Sequence, residues 1–425
     1  MTAVTDNALA KPEVYETRRI QLTSPLLHIG SAVSRLNPFE YVQTDQRVYL
    51  PNQDVLARVL KQQGYLEDYI ARIDWREDIT SLLEAALGED WRQAKSDRGE
   101  AIFPRLMSSL KWVEGRVTDL RPMIRNGMGY LYIPGTSIKG AMRTAIAYHM
   151  LKHSDRYRVP KEQQVSEIER RLRQSLGNLK QKAKFADDDL FMDRLFNNFD
   201  LVYQGQAVTV QEGSNTDFMR AVQVTDSTAL IEEKFTTPKG KTAFINLPVV
   251  PEVIVSSHFP DGRAKYRASI YAEMVRSVKT EFSISLDTEM LSWFQGDRGL
   301  TIPFQSVTDL LNICQEFAQD QWDYEHDYWQ NVKNNPNAQG KNLDFSAIRE
   351  FYEAEQCPFS LRLGWASGMM GTTIGLLLDD ALRAEIRDAC GIRAPGFEAP
   401  KSRRTIMTKS GEIKFVPGWV KFKVV

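Results

Sequence analysis

The sequence predicts a mixed α+β fold, with strands and helices alternating along the whole chain. Segments rich in β-branched and aromatic residues recur from near the start to the last few residues. Between them lie segments with apolar residues at spacings of three and four, the pattern of amphipathic helices. At 425 residues, with 42% hydrophobic and 26% charged residues, the chain is long enough for two or three globular domains.

The first half of the chain is expected to begin with a strand at residues 14–29 that Pro25 interrupts, followed by a polar loop at 31–37. The patterns after it predict, in order, helices at 51–69, 79–91 and 140–151, a basic helix at 161–184, and strands at 199–210, 219–224 and 242–245. We interpret about 51–100 and 150–198 as helical insertions.

The second half is expected to be built from similar parts. Its patterns predict one or two strands at 266–286, an acidic helix at 305–329, a flexible Asn-rich loop at 331–342, a strand at 359–365 ending in a Gly-rich turn, a helix at 372–390 and a closing strand at 418–425. Two βαββαβ units, divided near residue 250, are compatible with this order. We therefore expect one domain at 1–250 and a second, with the Gly-rich loop, at 251–425.

Composition argues against several classes of protein. No apolar run approaches the roughly 18 residues that a membrane helix needs. Cys314, Cys357 and Cys390 lie far apart, which argues against a zinc site or a disulfide framework. We expect no membrane association, no metal, no cofactor and a location in the reducing cytoplasm. The first dozen residues lack an apolar core, so we expect a short mobile tail rather than a secretory signal.

The net charge is −1, but charge is distributed unevenly. Residues 152–184 hold ten Lys and Arg against four Asp and Glu, and residues 391–425 hold eight against two. Residues 67–100 and 287–327 are acidic. The basic segments are candidate paths for a phosphate backbone, which the acidic segments would repel; alternatively, each run is a solvated helix face.

The most informative motif spans residues 132–146 and reads as a short strand, a Pro-Gly turn and a helix. Thr136 or Ser137 is expected to cap the helix, and Lys139 and Arg143 share one face near its start. A capped helix N-terminus beside two cations predicts a phosphate site; the alternative is a capped helix with two solvated cations. The lysine precedes the second glycine and no hydroxyl follows, so this is not a P-loop and nucleotide hydrolysis is not supported.

Four segments, in order along the chain, carry a resemblance to a known family. They are the strand and exit loop at 22–31, the Ile-Pro-Gly-Thr-Ser-Ile-Lys-Gly motif at 133–140 with Arg143 after it, the strand at 219–227 that ends in Asp-Ser, and the Gly-rich loop at 363–368 followed by 401–404 and 417–421. Together they resemble the CRISPR RAMP proteins. The C-terminal segments resemble one branch, the type III-A Csm subunit that caps the 3′ end of the guide RNA (crRNA).

The resemblance implies tandem ferredoxin-like (RRM-like) βαββαβ domains with helical insertions. It also implies a non-catalytic crRNA-binding subunit of the Csm effector that supports crRNA maturation in antiviral defence. The implied partners are crRNA, target RNA and other type III-A RAMP backbone subunits. One copy per ribonucleoprotein is expected, since the acidic segments at 67–100 and 287–327 could block further stacking.

Two alternatives to this function stay open at this point. A metal-independent ribonuclease would use His28, because some RAMP nucleases carry a histidine in this region; the other interpretation of His28 is structural. Residues 31–37 contain no Asp or Glu, whereas target-cutting RAMP subunits carry an acidic residue there, so that activity is not carried over. A general single-stranded RNA-binding module is the third possibility.

The candidate RNA-binding residues come from these motifs. The Gly-rich loop would present amides to phosphates, the basic cluster at 401–404 would act as a cationic hook, and Trp419 is either a stacking plane or part of the core. The full set is His28, Gly30, Ser31, Thr136, Ser137, Lys139, Arg143, Arg220, Gly364, Ser367, Gly368, Lys401, Arg403, Arg404 and Trp419.

Overall fold

A computed structural model describes residues 15–182, 192–208, 213, 215–238, 240–392, 394 and 397–425. The expected N-terminal tail lies outside the described residues. The mixed α+β prediction is confirmed. Within the described part of the chain, no helix is both long and apolar enough to cross a membrane.

The strands are β1 (Tyr15–Leu27), β2 (Val42–Gln43), β3 (Arg47–Tyr49), β4 (Ser108–Trp112), β5 (Leu120–Arg121), β6 (Phe199–Tyr203), β7 (Gln206–Val208), β8 (Val222–Val224), β9 (Glu233–Thr236), β10 (Thr242–Ile245), β11 (Leu247–His258), β12 (Ala264–Ala272), β13 (Met274–Asp287), β14 (Phe294–Gly296), β15 (Asn335–Ala338), β16 (Lys341–Leu343), β17 (Leu361–Arg362), β18 (Arg403–Met407), β19 (Ile413–Phe415) and β20 (Trp419–Val424). The helices are α1 (Gln53–Gln62), α2 (Leu66–Trp75), α3 (Thr80–Leu87), α4 (Gly135–Lys152), α5 (Val165–Lys182), α6 (Asp193–Phe196), α7 (Thr288–Trp293), α8 (Val307–Asn331), α9 (Ser346–Phe351), α10 (Gly368–Thr372) and α11 (Asp380–Ala389).

A 13-stranded mixed sheet forms the centre of the molecule, and its main path runs β17-β20-β1-β13-β11-β4-β3-β2. The first and last strands are neighbours, because β1 pairs antiparallel with both β13 and β20. Strand β11 was missed by the sequence analysis, although it pairs with β4, β12, β13 and β18. The division near residue 250 falls inside β11, so the two-domain organisation stays a prediction.

Strand β1 continues through Pro25, contrary to expectation. Its ladder with β13 passes from the Ser24–Val278 pair directly to the Leu26–Arg276 pair. Ser277, which stands opposite Pro25 on β13 with a φ of 53°, is left out of the ladder, and the register is the same on both sides of this position. Because this pair takes no part in the ladder, the missing amide of proline removes no regular hydrogen bond.

Helices α4 and α8 cover one face of the sheet and form the main core with it. Helix α4 buries Ile138, Met142 and Ala145, which recur at spacings of three and four and therefore lie on one side. Helices α1, α2 and α3 form a smaller core of their own around Leu56 and Trp91. The predicted helices at 51–69 and 79–91 correspond to these three, and the first is divided by Gly64, which has a φ of 83°.

Two predicted elements differ in kind from the observed ones. The expected flexible loop at 331–342 contains the hairpin of β15 and β16, whose turn is Gln339–Gly340, and Leu343 is buried. The expected helix at 372–390 is limited to α11, because the Gly-rich segment before it forms only short helical turns.

Candidate nucleic-acid interface

The Pro-Gly turn before α4 and the Asp-Ser pair after β8 bind each other. The Gly135 amide donates to Asp226 Oδ1 at 2.8 Å. The Ile133 amide donates to Ser227 Oγ at 3.0 Å, and the Ser227 amide donates to the Ile133 carbonyl oxygen at 2.9 Å. Two of the segments that carry the family resemblance therefore hold each other in the fold.

The helix N-terminus that the sequence analysis assigned to a phosphate is occupied by this carboxylate. The first amides of a helix and its dipole favour an anion, and Asp226 supplies one from within the chain. Pro134 is the N-cap and gives no side-chain hydrogen bond. The prediction that Thr136 or Ser137 caps the helix is therefore wrong; the first is exposed and the second half-buried.

Gly135 serves packing rather than the approach of a ligand. A Cβ atom at this position would lie 2.3 Å from the carbonyl oxygen of Val224 on β8. Since this is far inside van der Waals contact, only glycine lets α4 start so close to the strand. The sequence predicted that this turn allows a close approach, but the group that approaches Gly135 is the backbone of β8 and not a ligand.

Lys139 and Arg143 both have partners within the chain. Lys139 Nζ donates to the Val222 carbonyl oxygen at 2.7 Å, and burial lowers the pKa of this amine. Arg143 forms an ion pair with Asp217, and its guanidinium lies 3.9 Å from the ring centroid of Phe196. Their predicted role in phosphate binding conflicts with these contacts, because the donors that would reach a phosphate already hold α4 against β8 and the turn before it.

His28 is buried, with 3% of its surface exposed. Its Nδ1 lies 2.6 Å from the Glu273 carbonyl oxygen, which can only accept, so Nδ1 carries the proton. Burial lowers the pKa of the ring. Its edge packs against Trp365, with ring centroids 5.5 Å apart. The imidazole is a packed structural group, which supports the structural interpretation over the catalytic one.

The Gly-rich loop packs directly on this histidine. Gly364 has a φ of 83°, and a Cβ atom there would lie 2.2 Å from the His28 carbonyl oxygen. The Trp365 amide donates to the same oxygen at 3.2 Å. Ser367 is buried and donates to the Gly364 carbonyl oxygen at 2.9 Å, so its hydroxyl is used within the loop; Gly368 follows as the first residue of α10.

Two predicted RNA-binding residues lie in the core instead. Trp419 is fully buried and donates through Nε1 to the Tyr352 hydroxyl at 3.0 Å, so it cannot stack on a base in this conformation. Arg403 is 6% exposed, and its Nε lies 3.0 Å from Glu325 Oε1. The cationic hook stays a prediction, but in this conformation Arg403 does not take part in it, because a carboxylate from the acidic helix α8 pairs with it.

The basic run at 152–184 is likewise largely neutralised within its described part. Lys152 pairs with Glu316 and Asp320 of α8, so the start of the basic run faces the acidic run. On α5, Glu167 pairs with both Arg170 and Arg171. A simple count of charges along the sequence did not predict this mutual compensation.

The second face of the central sheet is different, because strands rather than helices supply its residues. Its buried cluster is Leu26, Leu247, Val249, Val253, Ala272, Met274 and Ile406, and the half-buried residues packed on it are Leu110, Trp112, Phe244, Ile270, Trp365 and Phe415. Within the described residues, this cluster draws on strands and one loop, with no helix residue. We call this surface, together with the arginines on it, the open sheet face.

Trp365 is the first aromatic centre of the open sheet face. The guanidinium carbons of Arg404 and Arg121 lie 4.5 and 5.4 Å from its ring centroid. Burial and the neighbouring Arg121 charge lower the pKa of Arg404. Two like charges held on one indole by strands β18 and β5 form a site that attracts an anion.

Trp112 and Phe415 form the second aromatic centre, with ring centroids 5.7 Å apart. The exposed Arg276 lies over both, at 5.1 and 5.8 Å from the two centroids. Its position follows from register, since Arg276 pairs with Leu26 on β1 and with Leu247 on β11, and paired residues point to the same face. Arg47 shares the face through its pairing with Leu110.

The four arginines of this face, Arg47, Arg121, Arg276 and Arg404, have no carboxylate within ion-pair distance among the residues that the structure describes. Uncompensated guanidinium groups beside half-exposed aromatic rings suit a single-stranded nucleic acid, whose bases stack and whose phosphates accept hydrogen bonds. Of this group the sequence analysis selected only Arg404. The others come from strands far apart in the chain, and only strand register brings them together.

The remaining candidates are scattered. Gly30 is exposed and forms an isolated antiparallel bridge with Met123, and the Ser31 hydroxyl binds the backbone of Val33. Arg220 is exposed and donates to the Asn215 carbonyl oxygen at 2.9 Å. Lys401 is half-buried in the segment before β18.

Comparison with known proteins identifies the family. A profile of the RAMP superfamily matches residues 19–335, which include β1, the Pro-Gly turn, α4, β8 and β11. The chain belongs to the RAMP superfamily. This match covers most of the chain, including three of the four segments that carry the resemblance, and it confirms the resemblance to the RAMP proteins; the C-terminal segment lies outside the matched residues.

One curated relative of this RAMP protein is the CRISPR system Cms protein Csm5 of Enterococcus italicus, which is 27% identical over 168 residues. The match covers 34% of this chain and 48% of the relative, so the chain spans about half the length of that relative. Two solved structures share the fold. A chain of the cryo-EM structure of the type III-A Csm-crRNA-target RNA ternary complex matches with a TM-score of 0.60 and 22% identity. The crystal structure of T. onnurineus Csm5 matches with a TM-score of 0.53 and 20% identity. Each match covers 96% of this chain and 100% of the other chain.

Proposed function

We propose that this RAMP protein is the crRNA-binding end subunit of a type III-A Csm effector complex and that it acts without catalysis of its own. The observation that carries the proposal is the open sheet face. It combines four arginines that lack described carboxylate partners with half-buried aromatic rings, three of which lie beneath those arginines. Such a surface binds single-stranded RNA through its backbone and through base stacking, with little dependence on sequence.

The relatives support the assembly part of the proposal. Csm5 is the named relative by sequence, and a chain of a Csm-crRNA-target RNA complex shares the fold over nearly the full length of this chain. The partners that we propose are accordingly crRNA, target RNA and other Csm subunits, in the cytoplasm. One copy at the crRNA 3′ end fits the acidic segment at 67–100, which would repel an RNA that continued past the subunit. The acidic segment at 287–327 contributes less, because Lys152 and Arg403 pair with three of its carboxylates.

The geometry favours a binding role over a ribonuclease. His28 is buried beneath Trp365, donates to a backbone oxygen and has a lowered pKa. A general acid or base must reach the ribose hydroxyl or the leaving oxygen within hydrogen-bond distance. The RNA backbone cannot approach a ring that is 3% exposed, so crRNA cleavage by His28 is not supported.

The finer architecture belongs to the same proposal. Two ferredoxin-like βαββαβ halves, at about 1–250 and 251–425, would share one continuous sheet, with β11 at their junction. The helical insertions would lie at about 51–100 and 150–198. The separate core of α1, α2 and α3 supports the first of these insertions.

Reconstitution with the other subunits of a type III-A complex and a crRNA tests the proposal. We expect native mass spectrometry to find one copy per particle and crosslinks to run to the crRNA 3′ end. Two or more adjacent copies, or crosslinks to the 5′ end alone, would contradict the end-subunit assignment. RNA binding without incorporation into the complex would favour a general RNA-binding module.

A further inference from the structure

Two histidines and a glutamate meet where the end of α4 contacts α8, away from the open sheet face. His149 lies in the last turn of α4 and His153 four residues further on, so both rings lie on one side. His149 Nδ1 lies 2.6 Å from Glu316 Oε2, and His153 Nε2 lies 2.7 Å from Glu316 Oε1. The three side chains each offer one ligand atom, and these atoms all lie within 4.8 Å of one another.

We propose that His149, His153 and Glu316 bind one divalent transition-metal ion, with Zn²⁺ as the best match. Two imidazoles and one carboxylate are a common set of three protein ligands for Zn²⁺, and water completes the tetrahedron. With metal–ligand bonds of about 2.0–2.2 Å, ligand atoms in a tetrahedron are roughly 3.3 Å apart. The two hydrogen-bonded pairs need to separate by less than an ångström to admit the ion, and ligand atoms as far apart as 4.8 Å need to approach by about 1.5 Å.

Solvent reaches the cluster from one side. The side chains of His153 and Glu316 are 35% and 29% exposed, whereas that of His149 is 8% exposed. An ion can enter by displacing water from the first two residues and then complete its coordination on the buried ring. The half-exposed ligands also have room to adjust their rotamers, so the backbone of the two helices need not move.

The protonation of both rings permits a metal ion to replace their hydrogen bonds to Glu316. A carboxylate accepts hydrogen bonds only, so each imidazole now carries its proton on the nitrogen that faces Glu316. A metal ion needs a lone pair on each nitrogen that faces Glu316, and each ring can provide one by moving its proton to the opposite nitrogen. For His149 that nitrogen lies 2.7 Å from the Tyr157 hydroxyl, which can accept. Tyr157 would then orient the ligand, as the outer hydrogen-bond partner of a metal-bound histidine does.

One cation competes with the ion for the carboxylate. Lys152 Nζ lies 3.0 Å from Glu316 Oε1, and it also pairs with Asp320. When a metal binds, Lys152 can release Glu316 and keep Asp320, because its side chain is about one-third exposed and mobile at its end. The bound ion would replace three hydrogen bonds on Glu316 with a tighter link between α4 and α8.

Titration of the full-length protein without an affinity tag tests the proposal. Zn²⁺ is followed by isothermal titration calorimetry, and Co²⁺ by its visible absorption. We expect one equivalent to bind, and His153→Ala and Glu316→Gln each to abolish binding. Tyr157→Phe should weaken binding about tenfold to a hundredfold, since it removes only the partner of His149. His326→Ala, which removes a half-buried histidine elsewhere on α8, should leave binding unchanged.

Circular dichroism of each variant separates loss of the site from loss of the fold. If a His153 or Glu316 variant is unfolded, the Tyr157→Phe protein still tests the assignment, because it keeps all three ligands. Absence of stoichiometric binding by the folded wild-type protein would overturn the proposal. Equal binding by the wild type and the folded His153→Ala and Glu316→Gln variants would overturn it as well.

Discussion

Asp226 Oδ1 accepts the hydrogen bond of the Gly135 amide at 2.8 Å, so a carboxylate from the end of β8 lies where the start of α4 would hold a phosphate. The Pro-Gly motif, the most recognisable motif of the chain, therefore connects the start of α4 to the segment after β8. The RNA site is therefore expected on the open sheet face and not at the start of α4. This relationship also yields predictions that separate a structural motif from a binding motif.

Gly135→Ala should destabilise the protein by about 1–3 kcal/mol, the usual cost of overpacking. The new methyl group would lie 2.3 Å from the Val224 carbonyl oxygen, and neither backbone segment can withdraw without disturbing the start of α4 or β8. Urea denaturation measures the change. Gly140→Ala is the matched control, because no atom lies within 4 Å of its added Cβ, and it should stabilise the helix by about 0.5–1 kcal/mol. Equal effects at both positions would contradict the packing role.

The double variant Lys139→Ala, Arg143→Ala should lower the free energy of unfolding while leaving the salt dependence of RNA binding unchanged. Both cations hold internal partners, namely the Val222 carbonyl oxygen and Asp217. Fluorescence anisotropy across a range of salt concentrations measures the dependence, and urea denaturation measures the stability. A salt slope reduced by about 0.7 for each cation would show instead that they contact phosphates of the single strand.

The sequence predicted much of this fold because local patterns specify it. The helix after the Pro-Gly turn, the length of α8 and the α+β class all follow from periodicity and turn residues, whereas the short strand predicted before that turn is not formed. The errors have non-local causes. Pro25 stays within β1 because Ser277, opposite it on a strand distant in sequence, is left out of the ladder at this point. The Asn-rich segment forms a hairpin whose Ala338 and Leu343 pack in a buried cluster with residues from other elements.

The candidate site was harder to predict than the fold. Arg403 and Trp419 have the right chemistry for RNA, yet Glu325 and Tyr352 pair with them inside the core. Conversely, Arg276 and Trp112 carry no motif. They meet through the register of β13, β11 and β4, which a single sequence does not reveal.

Folding stability should decrease as the pH falls from 7.5 through 6.5, in part because of His28. Burial lowers the pKa of the folded ring below its usual value of 6.5, so the unfolded chain takes up this proton at a higher pH than the folded protein does. The free energy of unfolding is therefore largest above pH 6.5 and decreases toward the lowered folded-state pKa. Urea denaturation at a series of pH values measures the decrease.

His28→Gln isolates this contribution, because the amide can still donate to the Glu273 carbonyl oxygen but does not titrate. We expect the variant to be less stable at pH 7.5 because it loses ring packing on Trp365, and to show a shallower pH dependence. An identical pH dependence in both proteins would mean that His28 titrates in the folded state much as it does in the unfolded chain.

The central claim is that the open sheet face binds RNA, and the salt dependence of crRNA affinity tests it most directly. Arg276→Ala, Arg404→Ala removes two cations of that face. Lys61→Ala, Arg98→Ala removes two exposed cations from the segment of α1, α2 and α3 as the matched control. We predict that the first variant reduces the slope of log affinity against log salt by about 1.4, or roughly 0.7 for each lost contact with a single strand, and that the control keeps the wild-type slope. A wild-type slope in the Arg276 and Arg404 variant, with correct folding, would contradict the account.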